Sequence, residues 1–203
     1  LKRTALKLKD FTPQGYLSLN DGKVFVSGGR ARAESFDAAT LTPRSVGNKD
    51  AKGRNDWHVA VTGDWLLNGG QVHDFKKRRT YSLNAPRPLV SEGKIYFAKL
   101  GAIHAYDLLE QVVQTKKDRR GKSYQVSIPK RLWALQVGPS PKKGKPVHPR
   151  DGIDAGIVMG IKAGNRLYAR GPKEVFSIDL PQVAGEQPKI GQTFKIEGSP
   201  ASL

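Results

Sequence analysis

The chain has no cysteine among its 203 residues. That single absence excludes disulfides, thiolate zinc sites, iron–sulfur clusters, covalently attached c-type haem and cysteine nucleophiles. It leaves the redox compartment open, because a chain without thiols tolerates either side of a membrane. Acids are scarce, at 18 Asp and Glu against 35 Lys and Arg, for a formal net charge of +17. No run approaches the roughly 18 consecutive apolar residues of a transmembrane helix, so no membrane span is expected. Three enzyme signatures are missing from the sequence: the HExxH metal pair, the GxSxG nucleophile elbow and the GxxxxGK[ST] phosphate loop. A sustained 3.6-residue apolar period is missing too; Asp107 to Gln114 is the one weakly helix-like stretch. What remains is an all-β chain with enough apolar content, 37%, for one sizeable core or two small ones. Because it opens at Leu1 and not at Met, it is expected to be a processed chain or a piece of a longer one.

What is present is a repeat. Four segments run a polar turn into an alternating strand: Asn20-Asp21-Gly22-Lys23-Val24-Phe25-Val26, Gly63-Asp64-Trp65-Leu66-Leu67-Asn68, Glu92-Gly93-Lys94-Ile95-Tyr96-Phe97 and Gly164-Asn165-Arg166-Leu167-Tyr168-Ala169. Each reads as a type I′ hairpin turn entering a β-branched or aromatic strand. An apolar run precedes each copy. A third strand follows, ending in an aromatic residue and usually Asp: Phe36-Asp37, His73-Asp74-Phe75, Tyr106-Asp107 and Phe176-Ser177-Ile178-Asp179. Fourth strands are expected at Leu132–Leu135 and Thr193–Ile196. Repeated four-stranded antiparallel units are the sequence image of a β-propeller. The copies lie 42, 29 and 72 residues apart. Against a blade of about 40–45 residues, the second unit is short and is expected to lack its outer strand. The third carries an insertion of roughly 30 residues on the same measure. The blades are bounded at roughly 12–55, 56–82, 84–138 and 153–198, with the basic insertion at 111–150. Gly152, Gly156 and Gly160 read as a glycine-rich inner strand.

Thr12 to Leu17, Asp21-Gly22-Lys23-Val24-Phe25-Val26, Gly29-Arg30 and Phe36-Asp37-Ala38-Ala39-Thr40 together resemble the quinoprotein-type (PQQ-like) β-propeller repeat proteins. Gly93 to Phe97 through Ala105-Tyr106-Asp107 is a second copy of that pattern. The resemblance implies a propeller of seven or eight blades, of which this chain holds about four. Pro200 to Leu203 looks like the lead-in to a further blade, so another chain or further blades are expected to complete the ring. It implies an exported protein, periplasmic or extracellular. A quinoprotein dehydrogenase would also bring adjacent cysteines, a calcium site and a Trp platform. Cysteine is absent and the calcium ligands do not map, so no catalytic residue and no cofactor, PQQ or calcium, is assigned.

The strongest functional candidate is the insertion. Between Gln111 and Arg150 stand 11 Lys or Arg residues and one acid, Asp118. The densest parts contribute Lys116, Lys117, Arg119, Arg120 and Lys122, then Lys142, Lys143 and Lys145, and a third cluster runs from Lys76 to Arg79. Such clusters neutralise phosphate, lipid headgroup or acidic polysaccharide charge in a salt-dependent way, or simply keep a surface solvated. Only Tyr81 and Tyr124 stand close enough to stack on bases. His58, His73, His104 and His148 are read as structural, His73 and His104 as equivalent places in the repeat, although His73 with Asp74 and His148 with Asp151 and Asp154 have metal or acid–base chemistry. The expectation is a non-catalytic binding or scaffold module whose basic loop contacts an anionic partner. Two alternatives stay open: a fragment of a PQQ-dependent dehydrogenase, and a nucleic-acid-binding protein acting through the basic loops.

Overall fold

Turn chemistry sets the architecture in the computed structural model of the chain. Asp21 and Gly22 both take positive φ, as do Glu92 and Gly93, Gly69 and Gly70, and Leu100 and Gly101. This is the type I′ pattern, whose twist matches that of the flanking strands. At Gly63-Asp64 and Gly164-Asn165 only the glycine is left-handed. There the type I′ expectation gives way to a II′ pattern with Gly leading.

The structure describes residues 13, 15–28, 31–44, 58–85, 87–118, 120–138, 156–183 and 185–197. These form sixteen strands: β1 (Leu17–Asn20), β2 (Lys23–Gly28), β3 (Ala31–Asp37), β4 (Pro43–Arg44), β5 (Val59–Thr62), β6 (Trp65–Asn68), β7 (Gly70–Asp74), β8 (Arg79–Ala85), β9 (Leu89–Ser91), β10 (Lys94–Lys99), β11 (Ala102–Lys117), β12 (Ser123–Gln136), β13 (Val158–Ala163), β14 (Arg166–Arg170), β15 (Glu174–Asp179) and β16 (Lys189–Lys195). They pair in chain order into four antiparallel four-stranded sheets, the blades of a β-propeller fold, with no helix among the described residues.

Two expectations are corrected. The second blade has its outer strand, β8, in which Tyr81, Leu83 and Ala85 point inward while Ser82 and Asn84 face out. The stretch Asp107–Gln114 is strand, not helix, within the 16-residue β11.

The repeat's terminal Asp has a defined task. Asp37, Asp74, Asp107 and Asp179 stand opposite Lys23, Trp65, Lys94 and Arg166. In three blades the carboxylate accepts backbone N–H groups of the following turn: Asp37 from Ala39 and Thr40, Asp74 from Lys77, Asp107 from Leu109 and Glu110. Such Asx turns pin the exit of a strand. In the fourth, Arg166 Nε donates to Asp179 Oδ1 at 2.6 Å. One residue on, the backbone N–H of Ala38, Phe75, Leu108 and Leu180 donates to Gly22, Asp64, Gly93 and Asn165. All four hairpins are clamped alike.

The chain divides into two compact units, Leu1–Arg87 and Pro88–Leu203. In the first, Phe25 and Ala33 of the first blade pack on Val59 and Leu66 of the second, with Val61 and Phe75 at the rim. Val61 N–H donates to Ser18 Oγ at 3.2 Å, and Asn20 Nδ2 to Gly63 O at 3.1 Å. In the second unit, Tyr96, Ile103, Ala105 and Trp133 of the third blade meet Leu167, Ala169, Phe176 and Ile178 of the fourth. Lys162, with a nearly buried stem, reaches Glu92 at 3.2 Å across that seam. The same rule holds in both units. Phe25 and Tyr96 lie two residues into their second strands and define a forward face. Leu66 and Leu167 lie one residue in and define a back face. Forward packs on back.

Candidate functional site

The connection from third to fourth strand is a short turn in the first two blades. In the third it grows into a two-stranded ribbon, with Gln111 to Lys117 paired against Pro129 to Ser123. The basic insertion expected as a loop is therefore ordered ladder over Gln111–Lys117 and Ser123–Gln136. Seven paired positions reach about 23 Å at the usual strand rise.

The base of the ribbon is anchored by a bulge between Asp107 and Gln111. Leu108 is fully buried there, and its N–H donates to Gly93 O at 2.8 Å. The Leu109 side chain lies over Gly93 so closely that a Cβ there would meet Leu109 Cδ1 at 2.9 Å. Gly93 also holds a left-handed φ of 69°, so two requirements converge on glycine. Pro129 is buried opposite Gln111. It sits beside the bulge on an edge strand, a place where proline is tolerated. Lys130 Nζ meets Glu110 Oε1 at 2.8 Å, and Ser127 Oγ donates to Gln111 Oε1 at 2.8 Å.

Above the base the two faces differ. Val112, Val126 and Ile128 are half-buried on one face, which ends in Lys116 opposite Tyr124. The other carries Val113, Thr115 opposite Gln125, and Lys117 opposite Ser123. At the tip Asp118 closes the turn. Its Oδ1 accepts the N–H groups of Arg120 at 2.8 Å and Lys122 at 2.9 Å, and its own N–H donates to Lys122 O. Gly121 supplies the positive φ. The one acid of the tip is spent on backbone, and it holds Lys116, Lys117, Arg120 and Lys122 on a single exposed end. None of these four cations forms an ion pair among the described residues. Arg119, Lys142, Lys143 and Lys145 lie outside the described residues, as do His148, Asp151 and Asp154.

The cluster Lys76 to Arg79 occupies the same third-to-fourth connection in the second blade, around the exposed turn after Asp74. Among the described histidines, His73 and His104 make packing contacts. His73 is buried, with Nδ1 2.7 Å from Thr80 Oγ1 and its ring edge-on to Phe75. His104 stacks on Phe97 at 5.3 Å. Burial pushes the His104 imidazole below its usual range, partly offset by a hydrogen bond to the Lys99 backbone. The two share a strand face but not a repeat position: His73 opposes Leu66, whereas His104 opposes Phe97, one alternation further along. Among the described residues no group of three metal-ligating side chains comes together. Burial raises the Tyr96 phenol to about 12. Backbone and hydroxyl hydrogen bonds from Thr40 hold the Asp37 carboxyl below its usual range.

Of the glycine-rich stretch, Gly160 sits at a bulge of β13 and Gly156 precedes the strand with φ 63°, while Gly152 is outside the described residues. Sequence reasoning located the cations of the tip but missed the clamp residues Leu108, Gly93 and Asp118. The signal for Asp118 was present in the spacing Asp-x-x-Gly between two alternating runs.

The fold and this outgrowth define a β-propeller-type protein with a ribbon-borne cationic surface. Neither a family model nor a curated protein sequence matches the chain. Among solved structures it is similar to BamB from Moraxella catarrhalis, at 17% identity and a TM-score of 0.52 over 84% of this chain and 51% of that one. It is also similar to apo AztD from Citrobacter koseri, at 13% identity and a TM-score of 0.56 over 96% of this chain and 50% of that one. The chain thus spans about half the length of these propeller proteins. No helix among the described residues is long and apolar enough to cross a membrane.

Proposed function

We propose that the chain is a non-catalytic binding module of the PQQ-like propeller type, whose ribbon tip engages an anionic surface on a partner. The observation that carries this reading is the concentration of four exposed, unpaired cations around a turn whose only acid is tied to backbone N–H groups. Rigid blades and the buried bulge at Leu108 set the position of that end. Charge supplies attraction, and the mechanism is surface recognition. Arg119, Lys142, Lys143 and Lys145, outside the described residues, are proposed from the sequence as further contacts to the same anionic partner. In this reading the chain works without PQQ or calcium, in the periplasm or outside the cell, and further blades complete its ring. Saturable PQQ binding that depends on calcium would move it to the dehydrogenase class instead.

A second reading has one feature in its favour: a two-stranded ribbon is narrow enough for the major groove of duplex DNA, about 12 Å wide. One experiment separates the two. The protein and a variant with Lys116→Glu, Lys117→Glu, Arg120→Glu and Lys122→Glu are titrated with heparin and with duplex DNA. Loss of binding to both, without preference between them in the unaltered protein, supports the anionic-surface reading. A large preference for particular duplex sequences supports nucleic-acid recognition. Equal binding by the variant removes the basis for both.

A further inference from the structure

The outer strand of the third blade ends its sheet, in the order β12-β11-β10-β9. Beyond Pro129 this edge belongs to the ribbon, and among the described residues no strand lies beside it. The tip turn fixes which backbone groups point outward. Asp118 N–H donates to Lys122 O at 2.9 Å, so that pair bonds across the ribbon. Antiparallel pairs alternate between bonded and non-bonded, and the register from Lys117 opposite Ser123 to Gln111 opposite Pro129 is unbroken. Ser123, Gln125 and Ser127 therefore turn their N–H and C=O groups away from β11. Pro129 falls in the same alternate set, and a residue without an N–H suits that position.

Natural edge strands are guarded by Lys, Pro or a bulge against pairing with another chain. Pro129, Lys130 and Arg131 guard the lower part of β12, whereas Ser123 to Ile128 carries no charge, no proline and no bulge. That stretch is about 20 Å long, enough for an added strand of similar length. Its two rows of side chains differ. Tyr124, Val126 and Ile128 form an apolar row on one face, with Tyr124 48% exposed. Ser123, Gln125 and Ser127 form a polar row on the other. The surrounding charge is of one sign: β12 contains no acid, Asp118 is held by backbone N–H groups, and Glu110 is held by Lys130. Lys116, Lys117 and Lys122 flank the upper end.

We propose that this edge takes an extended acidic segment of another protein as an added β-strand. Alternate apolar side chains of that segment would lie beside Tyr124, Val126 and Ile128, and its carboxylates toward Ser123, Gln125 and the tip cations. Backbone bonds to an added strand give affinity, and the alternate rows give selectivity. The other edge of the ribbon is a poorer match, because its row on the apolar face runs Val112, Gln114, Lys116. A second copy of the chain fits poorly too, because its own β12 brings no acid to the cations. Blades pack through their faces, which leaves an outer edge open to a partner. The proposal rests on the anionic-partner reading and names the form of that partner.

The test is fluorescence anisotropy of the full chain with a short labelled peptide in which Val and Glu alternate. Two further peptides carry backbone N-methyl groups on the Val set or on the Glu set. Only one set faces the edge in an added strand, so the two affinities should differ about 10-fold or more. Gln125→Pro removes an outward donor; it should weaken the unmethylated peptide by a similar factor and leave heparin binding as it is. Equal affinity for the two methylated peptides overturns the proposal, whatever Gln125→Pro does to the fold. So does a peptide with the same residues in blocks that binds as well as the alternating one, or an alternating peptide that does not bind. If heparin still binds in those cases, the anionic-tip reading stands and only the added strand falls. If neither peptide nor heparin binds, both fall.

Discussion

Replacing Asp118 by Asn keeps an oxygen where the tip turn needs an acceptor and removes the only negative charge among the cations. Oδ1 of Asp118 holds the N–H groups of Arg120 and Lys122 at 2.8 and 2.9 Å, and an Asn carbonyl can accept both. The fold of the tip is therefore retained while its net charge rises by one. Two unit charges 4 Å apart interact by about 1 kcal/mol in water, and less once a Debye length of about 8 Å intervenes at physiological salt. An anion seated on Lys116, Lys117, Arg120 and Lys122 should then bind the Asn variant about 2- to 5-fold more tightly at low salt. Asp118→Ala also removes the charge but leaves two N–H groups without their acceptor, each hydrogen bond contributing roughly 1 kcal/mol. Its tip frays, and the gain shrinks or reverses. Titration of fluorescently labelled heparin at two salt concentrations reads both effects, with far-UV circular dichroism as a check on the blades. An Asn variant that binds no better than the unaltered protein would refute the placement of the anion at the tip.

Further outcomes follow from the cores and their titrating groups. Leu167→Ala empties a fully buried site at the seam of the third and fourth blades and should cost about 2–5 kcal/mol, read as a lower urea midpoint. Gly156→Ala should destabilise by roughly 1–3 kcal/mol, because its Cβ would meet Pro172 Cγ at 2.7 Å from a backbone with φ 63°. The neutral His104 imidazole is favoured in the fold; its contribution is present above the unfolded pKa of about 6.5 and is lost as pH falls through its depressed folded value. The urea midpoint should therefore fall less between pH 7 and 5 in His104→Phe than in the unaltered protein. For Tyr96 the sign is opposite: with its phenol raised to about 12, stability is full below about pH 10 and is lost as pH approaches 12. The absorbance change at alkaline pH should show one tyrosine titrating late.

The blades were legible because their turns are written in residue types that few other conformations accept. Asp21-Gly22 and Glu92-Gly93 need left-handed backbone, and the alternation after them fixes which side chains enter the core. The terminal Asp of each repeat was visible as a pattern, although its bonds to the following turn were not. The missing fourth strand of the second blade was an error of spacing. A 29-residue interval reflects short connections and not a lost strand, and Tyr81, Leu83 and Ala85 already alternated. The ribbon was harder. Leu108, Leu109, Val112 and Val113 fall at helix-like intervals because three residues bulge from the ladder between Asp107 and Gln111, breaking the period of two. For the candidate site, composition located the cations and could not show that they share one end. That depends on the pairing of Lys116 with Tyr124 and Lys117 with Ser123, which is long-range information.

The most direct test of the ribbon as an anion-binding tip is the salt dependence of heparin affinity, measured for the protein and for a variant carrying Lys116→Ala, Lys117→Ala, Arg120→Ala and Lys122→Ala. Each cation that displaces a counterion contributes about 0.7 to the slope of log affinity against log salt for a flexible polyanion. The variant should therefore lose about 3 in slope, with its unfolding midpoint unchanged. Equal slopes for the two proteins would contradict the account.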